Sequence, residues 1–136
     1  MRRKRIVWFA NKTKPVGAQM RELERLFPGH VLVVDNTLWD GDHLEDVLTK
    51  FKEYGGDEMV CVMPLNFLYS LVKLGAQPLK SKMKLAAEVN NRDPRILEHG
   101  HDWISKSGST VRLWKFDGFV RVTDMSITEE EIVAEV

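Results

Sequence analysis

This sequence has little cysteine, no net charge and no long apolar run. Its 136 residues include one cysteine, Cys61, so an intrachain disulfide and a zinc site made of cysteines alone are both excluded. Cys61 lies within an apolar run, which predicts a core residue rather than a nucleophile. No stretch approaches the ~18 apolar residues of a membrane span, and the apolar run near the start is too short for a signal peptide. We therefore expect a cytoplasmic protein with a single domain over 1–136.

The charges cancel in number but not in position. The 20 basic residues balance the 20 acidic ones. Between Met1 and Arg21 there are seven basic residues and no acidic one, whereas the segment 117–136 holds six acidic residues and one basic residue. Zero net charge excludes a protein that is basic over its whole surface. It leaves open a local cluster of positive charge that binds an anion.

Three apolar runs of strand length alternate with helical patterns in the first half of the chain. The predicted strands span 6–10, 31–34 and 59–63. Each is followed by apolar residues at helical spacing, and Pro28-Gly29, Gly55-Gly56 and Gly75 end the predicted helices. Continuous apolar strands are typical of a parallel sheet covered on both faces. The sequence therefore predicts an α/β, Rossmann-like parallel sheet of three βα units, with its core at 5–75 and helices on both faces.

A second pattern follows this core. Lysines alternate with apolar or small residues from Leu79 to Leu85, which predicts an edge strand with a lysine-bearing face. A helix over 83–89 is the alternative that the pattern leaves open. Within the lysine-rich strand and loop region 78–108, the segment from Asn90 to Gly108 is rich in turn-forming residues and forms a long predicted loop.

The last part of the chain carries a hairpin signal. Asp117-Gly118 stands between two β-rich runs and predicts a type I′ hairpin over 110–124. Thr128 with Glu131 predicts a short terminal helix. Alternation puts four side chains on one face of the hairpin, namely Trp114, Phe116, Phe119 and Arg121. Such a face can stack on nucleic-acid bases or form a dimer surface, and we favour a homodimer.

Polar residues that follow the predicted strands are the candidate ligand site. In an open parallel sheet, ligands bind beyond the carboxyl ends of the strands. The candidates there are Asn11, Lys12, Asn36 and Asn66. Lysines and free helix N–H groups favour a phosphate or another anion, and amides can read a base or ribose edge. The sequence lacks the glycine fingerprint of redox dinucleotide enzymes and a Walker loop, which disfavours both of those functions.

Two further groups of residues are candidate sites. Lys80, Lys82 and Lys84 would form a basic stripe on a strand, suited either to a phosphate backbone or to protecting an exposed sheet edge. His99 and His101, in a His-x-His run, could bind a metal, or either could serve as a general base. No other dense group of ligand residues accompanies these histidines, so we expect neither a metal nor a cofactor.

The third βα unit also carries a family resemblance. Gly56-Asp57, the strand 58–63, the turn Pro64-Leu65-Asn66 and Gly75-Ala76 resemble a segment of small CRISPR-associated proteins of type III systems. Those proteins are similar to Rossmann-like sensor and ring-nuclease domains that bind cyclic oligoadenylates. The resemblance implies an antiviral-defence role, with a symmetric ligand held across the two-fold axis of a homodimer.

The resemblance also implies a reaction without a metal. A ribose 2′-hydroxyl would attack the adjacent phosphate in line, while the protein supplies geometry and positive charge. Lys12 and Lys82 would stabilise the charge as catalytic residues. The ligand-binding residues would be Asn11, Asn36, Asn66 and Lys80.

Two other functions stay open. One is a non-enzymatic domain that binds single-stranded nucleic acid through the basic start, the lysine stripe and the aromatic residues. The other is a protein-interaction domain without a small ligand.

Overall fold

The computed structural model describes residues 3–10, 14–92 and 103–123 of the chain. Nine elements follow one another in these segments: β1 (Arg5–Ala10), α1 (Gly17–Leu26), β2 (Val31–Asp35), α2 (Leu44–Glu53), β3 (Glu58–Val62), α3 (Leu65–Lys73), β4 (Leu79–Asn90), β5 (Trp103–Ser107) and β6 (Thr110–Arg121). The strands form one mixed sheet in the order β2-β1-β3-β4-β6-β5. The predicted α/β class with three βα units is confirmed.

The parallel half of the sheet holds the core. β1 pairs in parallel with β2 on one side and with β3 on the other, and its residues from Ile6 to Ala10 are fully buried. Val7 and Phe9 pack against α2 and α3, whereas Ile6 and Trp8 belong to the cluster on the α1 side. Helices therefore cover both faces, as the alternation of βα units predicts.

The lysine-rich segment is a strand along its whole length, so the alternative of a helix over 83–89 is wrong. Its position in the sheet also differs from the prediction, because β4 lies between β3 and β6 rather than at the edge. β4 pairs with β3 at Val60–Leu79 and then runs antiparallel to β6 as far as Asn90. Most of β4 thus has a sheet neighbour on the β6 side.

The predicted hairpin turn at Asp117-Gly118 is wrong. β6 runs continuously through these residues, which form a β-bulge opposite Lys82, and Gly118 has a φ of 97°. A glycine with positive φ suits a bulge as well as a turn, so the dipeptide alone does not distinguish them. The C-terminal hairpin instead joins β5 to β6 through Gly108-Ser109, so the predicted loop is wrong at 103–107, where pairing with β6 forms a strand.

The aromatic residues of β6 contribute to the core. The Phe119 ring meets Trp8 edge-on with 6.1 Å between ring centroids, and Phe116 meets Phe119 at 4.9 Å. This packing covers aromatic surface that the sequence assigned to a dimer interface, and the homodimer stays a prediction. The predicted terminal helix at 128–131 lies outside the described residues. No helix among the described segments is long and apolar enough to cross a membrane.

Candidate functional site

A groove of about 480 Å³ opens at the carboxyl end of β3. Its lining comes from α1, β3, β4 and the β5–β6 hairpin: Gln19, Cys61, Val62, Met63, Lys80, Ser81, Met83, Ile104, Ser105 and Trp114. The groove walls are mostly apolar, with a few polar groups among them. A concave, largely apolar site with a few placed polar groups is typical of small-molecule binding.

The groove exists because two neighbouring strands separate. β3 and β4 are paired at Val60–Leu79, after which β3 ends and the chain turns into α3, while β4 continues along β6. The antiparallel hairpin then supplies Ile104 and Trp114 to the open side. The site therefore combines the edge of a parallel sheet, where ligands usually bind, with a wall from the antiparallel strands.

A buried amide connects α1 to β4 at the groove. Gln19 has no exposed surface, and its Oε1 accepts a hydrogen bond from the Val16 backbone N–H at 2.9 Å. Its Nε2 donates to Ser81 Oγ at 2.9 Å. Because both ends of the amide are bonded, the start of α1 is held against β4 without an unsatisfied amide.

The hairpin wall contains a second fixed hydrogen bond. The Trp114 indole Nε1–H donates to Ser105 Oγ at 2.9 Å. This bond orients the indole ring, which lines the groove together with the half-buried Met83. A fixed indole offers a flat apolar surface on which an aromatic ring can stack.

Lys80 is the lining residue that can bring positive charge to the groove. It is half-buried and is the one charged residue among the described residues that line the groove. No carboxylate on these lining residues competes for it. The local potential therefore favours an anionic group on the ligand.

Cys61 forms part of the groove floor but is not reactive there. The side chain is almost fully buried, and burial raises the pKa of its thiol far above the usual range. The thiol therefore stays protonated at neutral pH, since the thiolate is the nucleophilic form. This confirms the prediction that Cys61 is a core residue.

The predicted site residues are distributed unequally. Lys80 lines the groove, whereas Lys82 is exposed and lies opposite the bulge on β6. Asn36 and Asn66 are exposed and are not among the groove residues. The predicted residues Asn11 and Lys12, like His99 and His101, lie outside the described residues.

Most of the groove residues carry no local signal in the sequence. Ser81, Ser105 and Trp114 come together only through long-range strand pairing, which no local pattern contains. Gln19 did have a signal, because it is a polar residue within the apolar stripe of α1, between Val16 and Leu23. A polar side chain at a core position needs a buried partner, and here that partner is Ser81.

A second buried polar residue lies at the end of β2. Asp35 Oδ2 accepts a hydrogen bond from the Tyr54 hydroxyl at 2.7 Å, and Oδ1 accepts one from the Thr37 backbone N–H at 2.8 Å. Burial raises the pKa of the Asp35 carboxyl, but these hydrogen bonds outweigh burial and hold the pKa below its usual value. The arrangement stabilises the loop after β2.

Comparison with known proteins adds no family to these observations. No protein-family model matches the chain, and no curated protein or solved structure matches it. Within residues 3–10, 14–92 and 103–123, no group of three or more histidine, cysteine, aspartate or glutamate residues could hold a metal ion.

Proposed function

We propose that this protein binds a nucleotide or a cyclic oligonucleotide, with a base in the groove and a phosphate beside Lys80. The observation that carries the proposal is the apolar groove itself, which combines the Trp114 indole with one lysine at the carboxyl end of a parallel strand. An aromatic wall suits a base, and an ammonium group suits a phosphate.

The size of the groove limits how much of a ligand it holds. Its volume of about 480 Å³ lies within the range of roughly 300–1,000 Å³ typical of small-molecule sites. One nucleotide fits this volume better than a complete cyclic oligonucleotide does. A symmetric cyclic ligand would therefore need two grooves, which is consistent with the proposed homodimer.

The first βα loop provides a second source of positive charge in this proposal. β1 pairs with β3 as far as Ala10–Val62, so the residues after β1 follow a strand end next to the groove. Lys12 belongs to that loop in the sequence. We propose that Lys12 and Lys80 together neutralise the phosphate.

Cleavage of the phosphodiester is a second proposal, which depends on binding of the ligand in the groove. The ribose 2′-hydroxyl oxygen would form a bond to the adjacent phosphorus and lose its proton to solvent, while the 5′-oxygen would leave and take up a proton. Because Lys82 is exposed and does not line the groove, the lysine beside the reacting phosphate would be Lys80 in its place. Positive charge there would stabilise the charge that develops in the transition state.

The binding proposal is tested by calorimetry with AMP, UMP and cyclic tetra-adenylate. We expect at least one of them to bind, and Lys80→Gln to weaken that binding about tenfold, because a hydrogen bond to a charged group contributes roughly 1.5–3 kcal/mol. Lys84→Gln is the matched control, since Lys84 is an exposed lysine of the same strand that does not line the groove. No binding by any of these ligands, or equal losses in the two variants, would contradict the proposal.

Single-stranded nucleic acid is a second candidate ligand, bound along β4 near Lys84. Lys84 stands directly opposite Lys115 in the antiparallel pair, and neither has an ion-pair partner among the described residues. Like charges in that position are destabilising, so a polyanion would relieve their repulsion. This candidate predicts salt-dependent binding of oligonucleotides that the double variant Lys84→Gln, Lys115→Gln weakens and Lys80→Gln does not.

A further inference from the structure

The hydrogen bonds around the groove define which groups remain for a ligand. Ser81 and Ser105 line the groove, and each hydroxyl already accepts a hydrogen bond from a protein donor. A serine hydroxyl has one hydrogen and two lone pairs, so one accepted bond leaves the hydrogen and one lone pair available. The direction of each of these bonds therefore decides whether the serine hydrogen is available to a ligand.

The direction of the Gln19–Ser81 bond is determined by Val16. The Val16 backbone N–H can only donate, so the atom of Gln19 that it contacts at 2.9 Å must be the amide oxygen. The Gln19 amide nitrogen then faces Ser81 and donates to its oxygen at 2.9 Å. The Ser81 hydroxyl hydrogen is consequently not used in this bond.

The direction of the Trp114–Ser105 bond needs no neighbour to determine it. An indole N–H is a donor only, so Ser105 Oγ must accept at 2.9 Å. The Ser105 hydroxyl hydrogen is likewise left over. Both serines can therefore donate to a molecule in the groove.

Lys80 adds another hydrogen-bond donor to the groove lining. The Lys80 ammonium has donors and no acceptor, and the described lining residues include no aspartate or glutamate. The sulfur atoms of Cys61 and of the two lining methionines are weak acceptors. The strong hydrogen-bonding side chains of the groove that remain available to a ligand are therefore donors, namely Ser81, Ser105 and Lys80, and they lie among apolar side chains.

We infer that the groove selects an aromatic ligand through a hydrogen-bond-accepting anionic group, such as a carboxylate or phosphate, and disfavours the same ring carrying an ammonium group. This inference rests on the proposed function in one respect, namely that the groove is a ligand site. It narrows the ligand class by the polarity of the hydrogen bonds, because an ammonium would leave both serine hydrogens unpaired and would face Lys80.

A pair of probes tests the inference. 2-Naphthoate and 2-naphthylmethylamine share one bicyclic ring and carry opposite charges at pH 7. NMR titration of the full chain, followed at the Trp114 indole N–H, gives the affinity of the groove for each probe. We expect naphthoate to bind at least about tenfold more tightly, since a charged group that lacks partners costs roughly 1–3 kcal/mol or more.

Variants separate hydroxyl donation from the charge of Lys80. Ser81→Ala and Ser105→Ala should each weaken naphthoate about three- to tenfold and weaken the amine less, because an ammonium can use only the remaining serine lone pair. Ser105 is exposed, so its variant keeps the test decisive if Ser81→Ala does not fold. Ser70→Ala is the control, because Ser70 Oγ donates to the Asn66 carbonyl and does not line the groove.

The outcomes distinguish the two claims. Naphthoate preference with serine-dependent affinity supports the inference, even if nucleotides fail to bind and the nucleotide proposal falls. Equal binding of both probes at Trp114, or serine variants that behave like Ser70→Ala, would overturn the inference while the groove remains a ligand site. If neither probe shifts the Trp114 signal, both the inference and the proposed site are overturned.

Discussion

The two halves of the sheet differ in how they use their side chains. In the parallel half, β1 is buried on both faces and helices cover it from either side. In the antiparallel half, β4 and β5 leave large apolar side chains partly in solvent, with Leu85 43% and Ile104 42% exposed. The first half supplies most of the apolar burial that stabilises the fold, and the second supplies the groove wall that contains Ile104 and Trp114.

Two contacts join the halves, an ion pair at the surface and a ring contact in the core. Arg121, at the end of β6, forms a two-pronged ion pair with Glu58 at the start of β3, with distances of 2.8 and 3.0 Å. The Trp8–Phe119 ring contact joins the same two regions inside the core. The groove opens beyond these contacts, where β4 has left β3.

The largest contrast is expected from truncating one large apolar side chain in each half. Phe9→Ala should lower the free energy of unfolding by about 3–5 kcal/mol, because it empties a fully buried site between β1 and the helices. Leu85→Ala should cost about 1 kcal/mol or less, since Leu85 is 43% exposed and loses only part of the burial energy of a core leucine. Urea denaturation measures both, and similar losses would show that the halves do not differ as described.

The next effect tests how tightly the parallel half is packed. A Cβ at Gly56 would overlap the Phe51 ring and lie 2.9 Å from Val7 Cγ2, so Gly56→Ala should cost about 1–3 kcal/mol. Gly17→Ala is the control, because its Cβ would meet only the mobile tip of Arg21 at 3.2 Å and alanine favours the helix. Thermal unfolding should therefore move in opposite directions in the two variants, and a Gly56→Ala protein as stable as the parent would contradict the packing.

A smaller effect concerns the loop after β2. Tyr54→Phe removes the hydrogen bond to Asp35 and should cost about 1 kcal/mol at pH 7. Because the folded-state pKa of Asp35 lies below its ordinary value of 3.8, this stabilisation is present above pH 3.8 and is lost as the pH falls through the folded pKa. The difference between parent and variant should narrow below that pH.

Tyr69→Phe provides the comparison for this pH series. The Tyr69 ring lies 4.4 Å from Lys73 Nζ, a contact that phenylalanine retains. Urea denaturation of the parent and both variants from pH 7 downwards gives the free energies. A Tyr54→Phe loss that persists unchanged in acid, or one no larger than that of Tyr69→Phe, would contradict the role assigned to the Asp35 carboxylate.

The difference between the parallel and the antiparallel half also explains which parts of the fold the sequence could predict. The three βα units have continuous apolar strands and helical stripes. The succession of strands and helices along the chain, and the burial of the strands on both faces, therefore follow from local pattern. Asp117-Gly118 has two conformational uses, and the pairing of β6 with β4 selects the bulge over the turn. Local pattern therefore sufficed where burial is two-sided and failed where long-range pairing decides.

The candidate site illustrates the same limit. Lys80 was predicted from its lysine-bearing strand and does line the groove, whereas Asn36 and Asn66 were predicted from strand ends and do not. The rule that ligands lie beyond the carboxyl ends of strands identifies an edge but not which side chains converge there. Trp114 reaches the groove because the hairpin packs beside the β3–β4 opening, which depends on residues far apart in the chain.

The most direct test of the account is NMR titration of the Trp114 indole N–H with AMP in the parent and in Lys80→Gln. The account predicts a saturable shift of this signal in the parent and about tenfold weaker binding in the variant, because the base would stack on the indole and the phosphate would meet Lys80. An unchanged Trp114 signal while AMP shifts other parts of the protein would contradict the account, since the ligand would then bind outside the groove.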